Sequence, residues 1–120
     1  MAEFWIKVAD VLPWIDSTLT DAEDNPVDIE NADVFFTLRP VRSGEPLIDR
    51  VAADNDQNGD GTDGTLGQVH YGWTAGDTDT AGGYYGEWTV EFPNGAGAMT
   101  FPNNGYDTIA IVDNLEAVGS

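Results

Sequence analysis

Apolar and polar residues alternate along most of this 120-residue chain, and a two-residue period is that of a strand with one buried face. In "EFWIKVA", Phe4, Ile6 and Val8 alternate with Trp5 and Lys7. After a turn at Asp24-Asn25-Pro26, Val34, Phe36 and Leu38 share one face, Thr37 and Arg39 the other, and Pro40 ends the strand or places it near an edge. "EPLIDRVAA" is a shorter candidate. "QVHYGW" sets Val69, Tyr71 and Trp73 against Gln68, His70 and Gly72. The clearest strand is "GGYYGEWTVEF", with Tyr84, Gly86, Trp88, Val90 and Phe92 inward and Glu87, Thr89 and Glu91 outward.

The Asn-Gly pair in "PNGAG" predicts a hairpin turn into "AMTF". "PNNGY" turns again, and "TIAIV" ends the pattern with Ile109 and Ile111 on one face. Helical periodicity is almost absent. "ADVLPWIDSTLT" fits no template well, because Pro13 interrupts a helix. Short strands separated by Gly, Pro, Asn and Asp predict an all-β sandwich of about seven antiparallel strands. It forms one domain over residues 1–120: residues 1–20 supply an N-terminal strand and a contact segment, and 113–120 a C-terminal tail.

Composition narrows what such a domain can do. Thirteen aromatic residues (4 Trp, 4 Tyr, 5 Phe) supply a core. With 0 Cys there are no disulfides, thiolate metal sites or cysteine nucleophiles. No apolar run approaches the ~20 residues that span a bilayer, and "MAEFWIKVAD" lacks the basic and apolar regions of a secretory signal.

The 22 acidic residues against Lys7, Arg39, Arg42 and Arg50 give a formal net charge of −18. So few cations cannot assemble a nucleic-acid or anionic-membrane surface. The acids are dispersed among apolar residues. They fit a solvated surface kept soluble by self-repulsion, or adaptation to high salt, where screening relieves that repulsion.

The stretch "DNDQNGDGTDG", Asp54 to Gly64, has the look of a calcium loop. One register offers Asp54, Asp56 and Asn58 with Gly59 at the sharp turn; another offers Asp56, Asn58 and Asp60 with Gly61. Both place Thr65 or Gly67 where the bidentate glutamate belongs. Asp, Asn and Gly are also the residues of any long β-β connection, and a polar turn without metal is the expectation.

The other candidates fail on chemistry. Asp77 and Asp79 are a carboxylate pair with no accompanying nucleophile or oxyanion donor. His70, on the face opposite Val69, Tyr71 and Trp73, is expected at an exposed or edge position without metal partners. Ser17, Ser43 and Ser120 have no nucleophile-elbow context. "NGAGA" lacks the lysine and the strand-to-helix setting of a phosphate loop. Trp73 and Trp88 belong to the core face, whereas Trp5 and Trp14 are candidates for a contact surface. No catalytic, cofactor or metal site is expected.

Two segments carry a resemblance. "DNPVDIENADVFFTL" and "VHYGWTAGDTDTAGGYYGEWTVEFPNGAGAMTFPNNGYDTIAIV" share an order of turns and aromatics with a known family. That order is a tryptophan strand, an Asp-Thr turn, Gly-Tyr into a long strand ending in Phe, a hairpin, "P-x-x-G-Y" and a last β-branched strand. It resembles the Ig-like domain of tailed-phage virion proteins, of the type at the N-terminus of the baseplate upper protein family. Independently of that resemblance, the acidic turn at Asp77 and Asp79 followed by Gly-Gly-Tyr at the start of an aromatic strand is similar to the corner motif of sandwich folds, in which a tyrosine hydroxyl bonds back to the upstream backbone; Tyr84, with Tyr85 as the alternative, is the candidate.

The resemblance implies a structural component of a virus particle, located in the virion, with no family active site to carry over. Family members continue into further segments, whereas this sequence stops at Ser120. The expected role is therefore accessory: capsid decoration, or packing at the head-tail junction, tail or baseplate. Its partners would be other virion subunits and further copies of itself, held through edge strands, the segment around Trp5 and Trp14, and "DNLEAVGS". The rival expectation is a carbohydrate-binding module using exposed aromatics, with a structural calcium at Asp54–Gly64 as an option.

Overall fold

The computed structural model describes residues 3–12, 14–42, 44–101 and 107–112. Pro13, Ser43, the "PNNGY" turn and the 113–120 tail, all subjects of expectations above, lie outside the described residues.

Eight strands form among the described residues, and no α-helix. They are β1 (Glu3–Lys7), β2 (Ile15–Thr18), β3 (Asp33–Pro40), β4 (Ile48–Asn55), β5 (Gln68–Tyr71), β6 (Gly82–Phe92), β7 (Gly97–Phe101) and β8 (Asp107–Val112). Hydrogen bonding follows the order β1-β8-β6-β3-β4-β5-β2, with β7 also on β6. The architecture is all-β in one body, as the alternation predicts. One pairing departs from the expected antiparallel set: β1 runs parallel to β8, Phe4 opposite Ile109 and Ile6 opposite Ile111. These strands come from distant parts of the chain, so no tight turn forces them antiparallel.

β4 passes from one ladder to the next. Its first part pairs with β3, Val34 opposite Ala53 and Phe36 opposite Val51. Its last residues, Asp54 and Asn55, pair instead with His70 and Val69 of β5. The β3–β4 ladder also carries a register irregularity between Phe36 and Leu38. Arg50 sits there at φ 52, left-handed backbone unusual for a non-glycine. Its N–H donates to the Thr37 hydroxyl (3.1 Å). Its guanidinium lies 4.8 Å from the centre of the Phe35 ring and ion-pairs with Glu91, tying β4, β3 and β6 together on the outer face.

One buried core draws side chains from both ladders. Ile15, Val69 and Tyr71 come from β2 and β5; Val34, Phe36, Leu38, Trp88, Val90, Ile109 and Ile111 come from β3, β6 and β8. No ladder joins β1 to β2 among the described residues, so the sheet curls without closing. Phe36, fully buried, is the hub: its ring centre lies 4.7 Å from Trp88, 5.0 Å from Tyr71 and 6.1 Å from Trp73. Removing such a ring costs about 3–5 kcal/mol. Gly86 exists for this cluster, since a Cβ there would come within 2.5 Å of Ile109 Cδ1 and 3.3 Å of Phe36 Cε1.

The turns behave as their residues predict. Asn94 and Gly95, at φ 61 and φ 69, make the β6–β7 connection. Asp21 Oδ1 accepts the N–H groups of Glu23 and Asn25, bending the chain at Asp24-Asn25-Pro26.

Candidate functional site

The outer face of β5 holds a polar cluster, and its centre is His70. The β2–β5 register sets Asp16 opposite His70, and the β4–β5 register sets Asp54 there on the other side. Nε2 of His70 lies 3.0 Å from Asp54 and Nδ1 2.7 Å from Asp56. Trp14 covers the imidazole in a stack 8° from parallel, with centres 4.5 Å apart. The expected face is right, but the expected setting is corrected. His70 is neither exposed nor at an edge: β5 lies between β2 and β4, and the side chain is 18% exposed. Strand neighbours far apart in sequence bring it its partners.

The acidic stretch is likewise not a free turn along its whole length. Asp54 and Asn55 still belong to β4. Asn55 Nδ2 donates to the carbonyls of Ile29 (2.7 Å) and Ala32 (3.1 Å). Gln57 Oε1 accepts the N–H groups of Ile29 (2.8 Å) and Gly67 (3.1 Å), while its Nε2 donates to Asp28 (2.7 Å) and the Gly59 carbonyl (2.8 Å). These two amides fasten the loop to the 28–32 turn.

Farther along, Asp63 accepts from the Thr65 hydroxyl and from Asn58 Nδ2, and these bonds hold its carboxyl below the usual range. Asp28 is lowered for the same kind of reason, first by Gln57 and then by the Glu30 N–H. Asp60 caps the Thr62 N–H. Of the calcium-register residues, Asp54 and Asp56 thus face His70 and Asn58 faces Asp63. Among the described residues no group of three or more His, Asp or Glu has an arrangement that could hold a metal ion.

Asp77 is a turn residue with a buried task. Its Oδ2 accepts from the Tyr71 hydroxyl (2.8 Å), the Thr74 N–H (2.8 Å) and the Thr74 hydroxyl (3.0 Å). Burial, reinforced by the Asp77 carboxylate, pushes the Tyr71 phenol well above its ordinary range. Next to it, the buried Thr78 donates to the Asp10 carbonyl (2.8 Å), and its own carbonyl accepts the Ala9 N–H (3.1 Å). The chain before β2 is thereby tied to the turn before β6. Tyr84 makes the corner bond expected of it: its hydroxyl donates to the Thr80 carbonyl at 2.8 Å.

The four tryptophans divide as expected. Trp73 and Trp88 are buried, while Trp5 is 59% and Trp14 53% exposed. Val11 and Leu12, beside Trp14 in sequence, are exposed as well. Ser17 lies in β2 opposite Val69, and its hydroxyl makes no bond to His70.

Sequence reasoning missed Asn55, Gln57 and the Trp14–His70 stack. Each depends on strands that meet only in three dimensions, and no local signal announces them. In comparisons with known proteins, no family model, no curated protein and no solved structure matches the chain.

Proposed function

We propose that the chain is an Ig-like β-sandwich acting as a non-enzymatic building block of a tailed-virus particle, where it packs against neighbouring virion subunits. The pairing order supports the sandwich: a parallel first strand on the last, β6 between β8 and β3, and β4 passing from one ladder to the other. The Tyr84–Thr80 bond at the corner before the long strand supports it further.

The observation that carries the docking role is an apolar N-terminal stretch on a strongly acidic protein. Trp5, Val11, Leu12 and Trp14 are exposed together within ten residues of sequence. Large exposed aromatics rimmed by polar groups are the usual anchors of protein interfaces. The side chains best suited to reaction chemistry, His70, Asp56 and Asp77, are engaged with one another or with the scaffold.

Antibody labelling and mass spectrometry of purified particles test this role, using the virus whose genome encodes the chain. The chain is expected at a fixed stoichiometry in intact particles. Its presence in the lysate and absence from washed particles would overturn the reading.

One observation favours a second reading, a carbohydrate-binding module. Trp14 is held flat on His70 with half its surface open, as in a sugar platform. Quenching of tryptophan fluorescence by an oligosaccharide, lost in Trp14→Ala, would establish it.

A further inference from the structure

The chain has four basic side chains and 22 acidic ones, so each cation has a large choice of partners. Arg50 takes Glu91. Arg39, near the end of β3, and Arg42, just past it, form no ion pair among the described residues. Both are exposed, and both line one groove of about 380 Å³ on the outer face of the sheet. Thr37, Tyr85 and Glu87 share its lining, and Pro40 and Val41 give it an apolar wall.

We infer that this groove docks an acidic segment of a partner protein, with the Arg39 and Arg42 guanidiniums taking up its carboxylates. The inference rests on reading the chain as a module that packs against other subunits.

Charge complementarity is the argument. A guanidinium presents a planar fork of donors that matches a carboxylate in two parallel bonds. At physiological salt the Debye length is about 8 Å, so an anion at the groove feels these two guanidiniums more than any carboxylate that lies beyond that distance. Glu87 is the carboxylate in the lining, and it disfavours a compact dianion more than an extended chain whose acids can be spaced around it. The wall selects in the same direction. A free ion would leave Val41, 49% exposed, uncovered; a peptide backbone with spaced acidic side chains covers it.

The test is fluorescence anisotropy with a short fluorescein-labelled glutamate-rich peptide and its glutamine counterpart. The full chain is compared with Arg39→Ala/Arg42→Ala and, as a charge control, Lys7→Ala, each checked for fold by circular dichroism. The glutamate peptide is expected to bind at least about tenfold more tightly than the glutamine one, with that preference lost in the double variant and kept in Lys7→Ala. Equal affinity for the two peptides overturns the inference, as does a preference that survives the double substitution. So does self-association of the chain alone that the double variant abolishes, which would put a second copy in the groove. Presence in particles is measured separately, so a failure of the particle reading and a failure of the groove give different results.

Discussion

The indole of Trp14 lies on the imidazole of His70, 8° from parallel, while both nitrogens of that imidazole face aspartates. The stack joins the segment before β2 to the centre of β5, and it fixes one of the exposed aromatics. Trp14→Ala is expected to lower stability by about 1 kcal/mol, and a double-mutant cycle with His70→Ala to give a coupling of about 0.5–1.5 kcal/mol. Urea unfolding measures both. A coupling of zero would mean that the two rings contribute independently.

Tyr84→Phe removes one hydroxyl and its bond to the Thr80 carbonyl. Thr80 is exposed, so water can replace the lost donor. The expected cost is about 1 kcal/mol, read as a lower denaturant midpoint with unchanged slope.

Two glycines should respond differently to alanine. At Gly86 the obstructing atoms are side-chain ends, Ile109 Cδ1 and Phe36 Cε1, and overpacking there costs about 1–3 kcal/mol. At Gly67 the obstruction is backbone, with the Leu19 carbonyl oxygen 2.8 Å from the added Cβ, and φ is 73. Backbone cannot swing aside, and left-handed φ adds strain of about 1–2 kcal/mol. Gly67→Ala is expected to be the more damaging; thermal melts of the two variants would rank them.

The acidic and alkaline limits follow from two kinds of shift. Asp28 and Asp63 ionise more readily in the folded chain than in the unfolded one. Their contribution is present above the ordinary carboxylate range and is lost as pH falls through the lowered folded values. Tyr71 is shifted upward by burial and by Asp77. Its contribution is complete below the unfolded phenol range near pH ~10 and declines as pH rises beyond it. Tyr71→Phe should therefore flatten the alkaline limb of a stability-pH profile while leaving the acid limb in place.

With 22 acids and 4 basic residues, self-repulsion opposes the compact state, and salt relieves it. The melting temperature is expected to rise by at least about 5 °C on going from low salt to about molar KCl. A flat dependence would remove high-salt adaptation as the reason for the charge.

Most strand positions could be read from the chain because burial imposes a period of two. Val34, Phe36 and Leu38 are buried, as are Tyr84, Trp88 and Val90, and the intervening residues face outward. The corner role of Tyr84 was legible too, since an acidic turn followed by Gly-Gly-Tyr is a local signal. His70 was not. Its face followed from alternation, but its partners Trp14, Asp54 and Asp56 come from other segments, and strand pairing sets them. The same holds for Gln57, whose four bonds reach residues on both sides of it in the chain.

The amino-acid order by itself determined an all-β chain, its inward residues, its main turns and its acidic surface, because these depend on side-chain type and on neighbours a few residues away. Tertiary structure decided the parallel β1–β8 pair, the passage of β4 between ladders, the setting of His70 and the meeting of Arg39 and Arg42 in one groove. Those relationships depend on register between distant strands, and a periodic pattern specifies which face a residue takes without specifying what lies across from it.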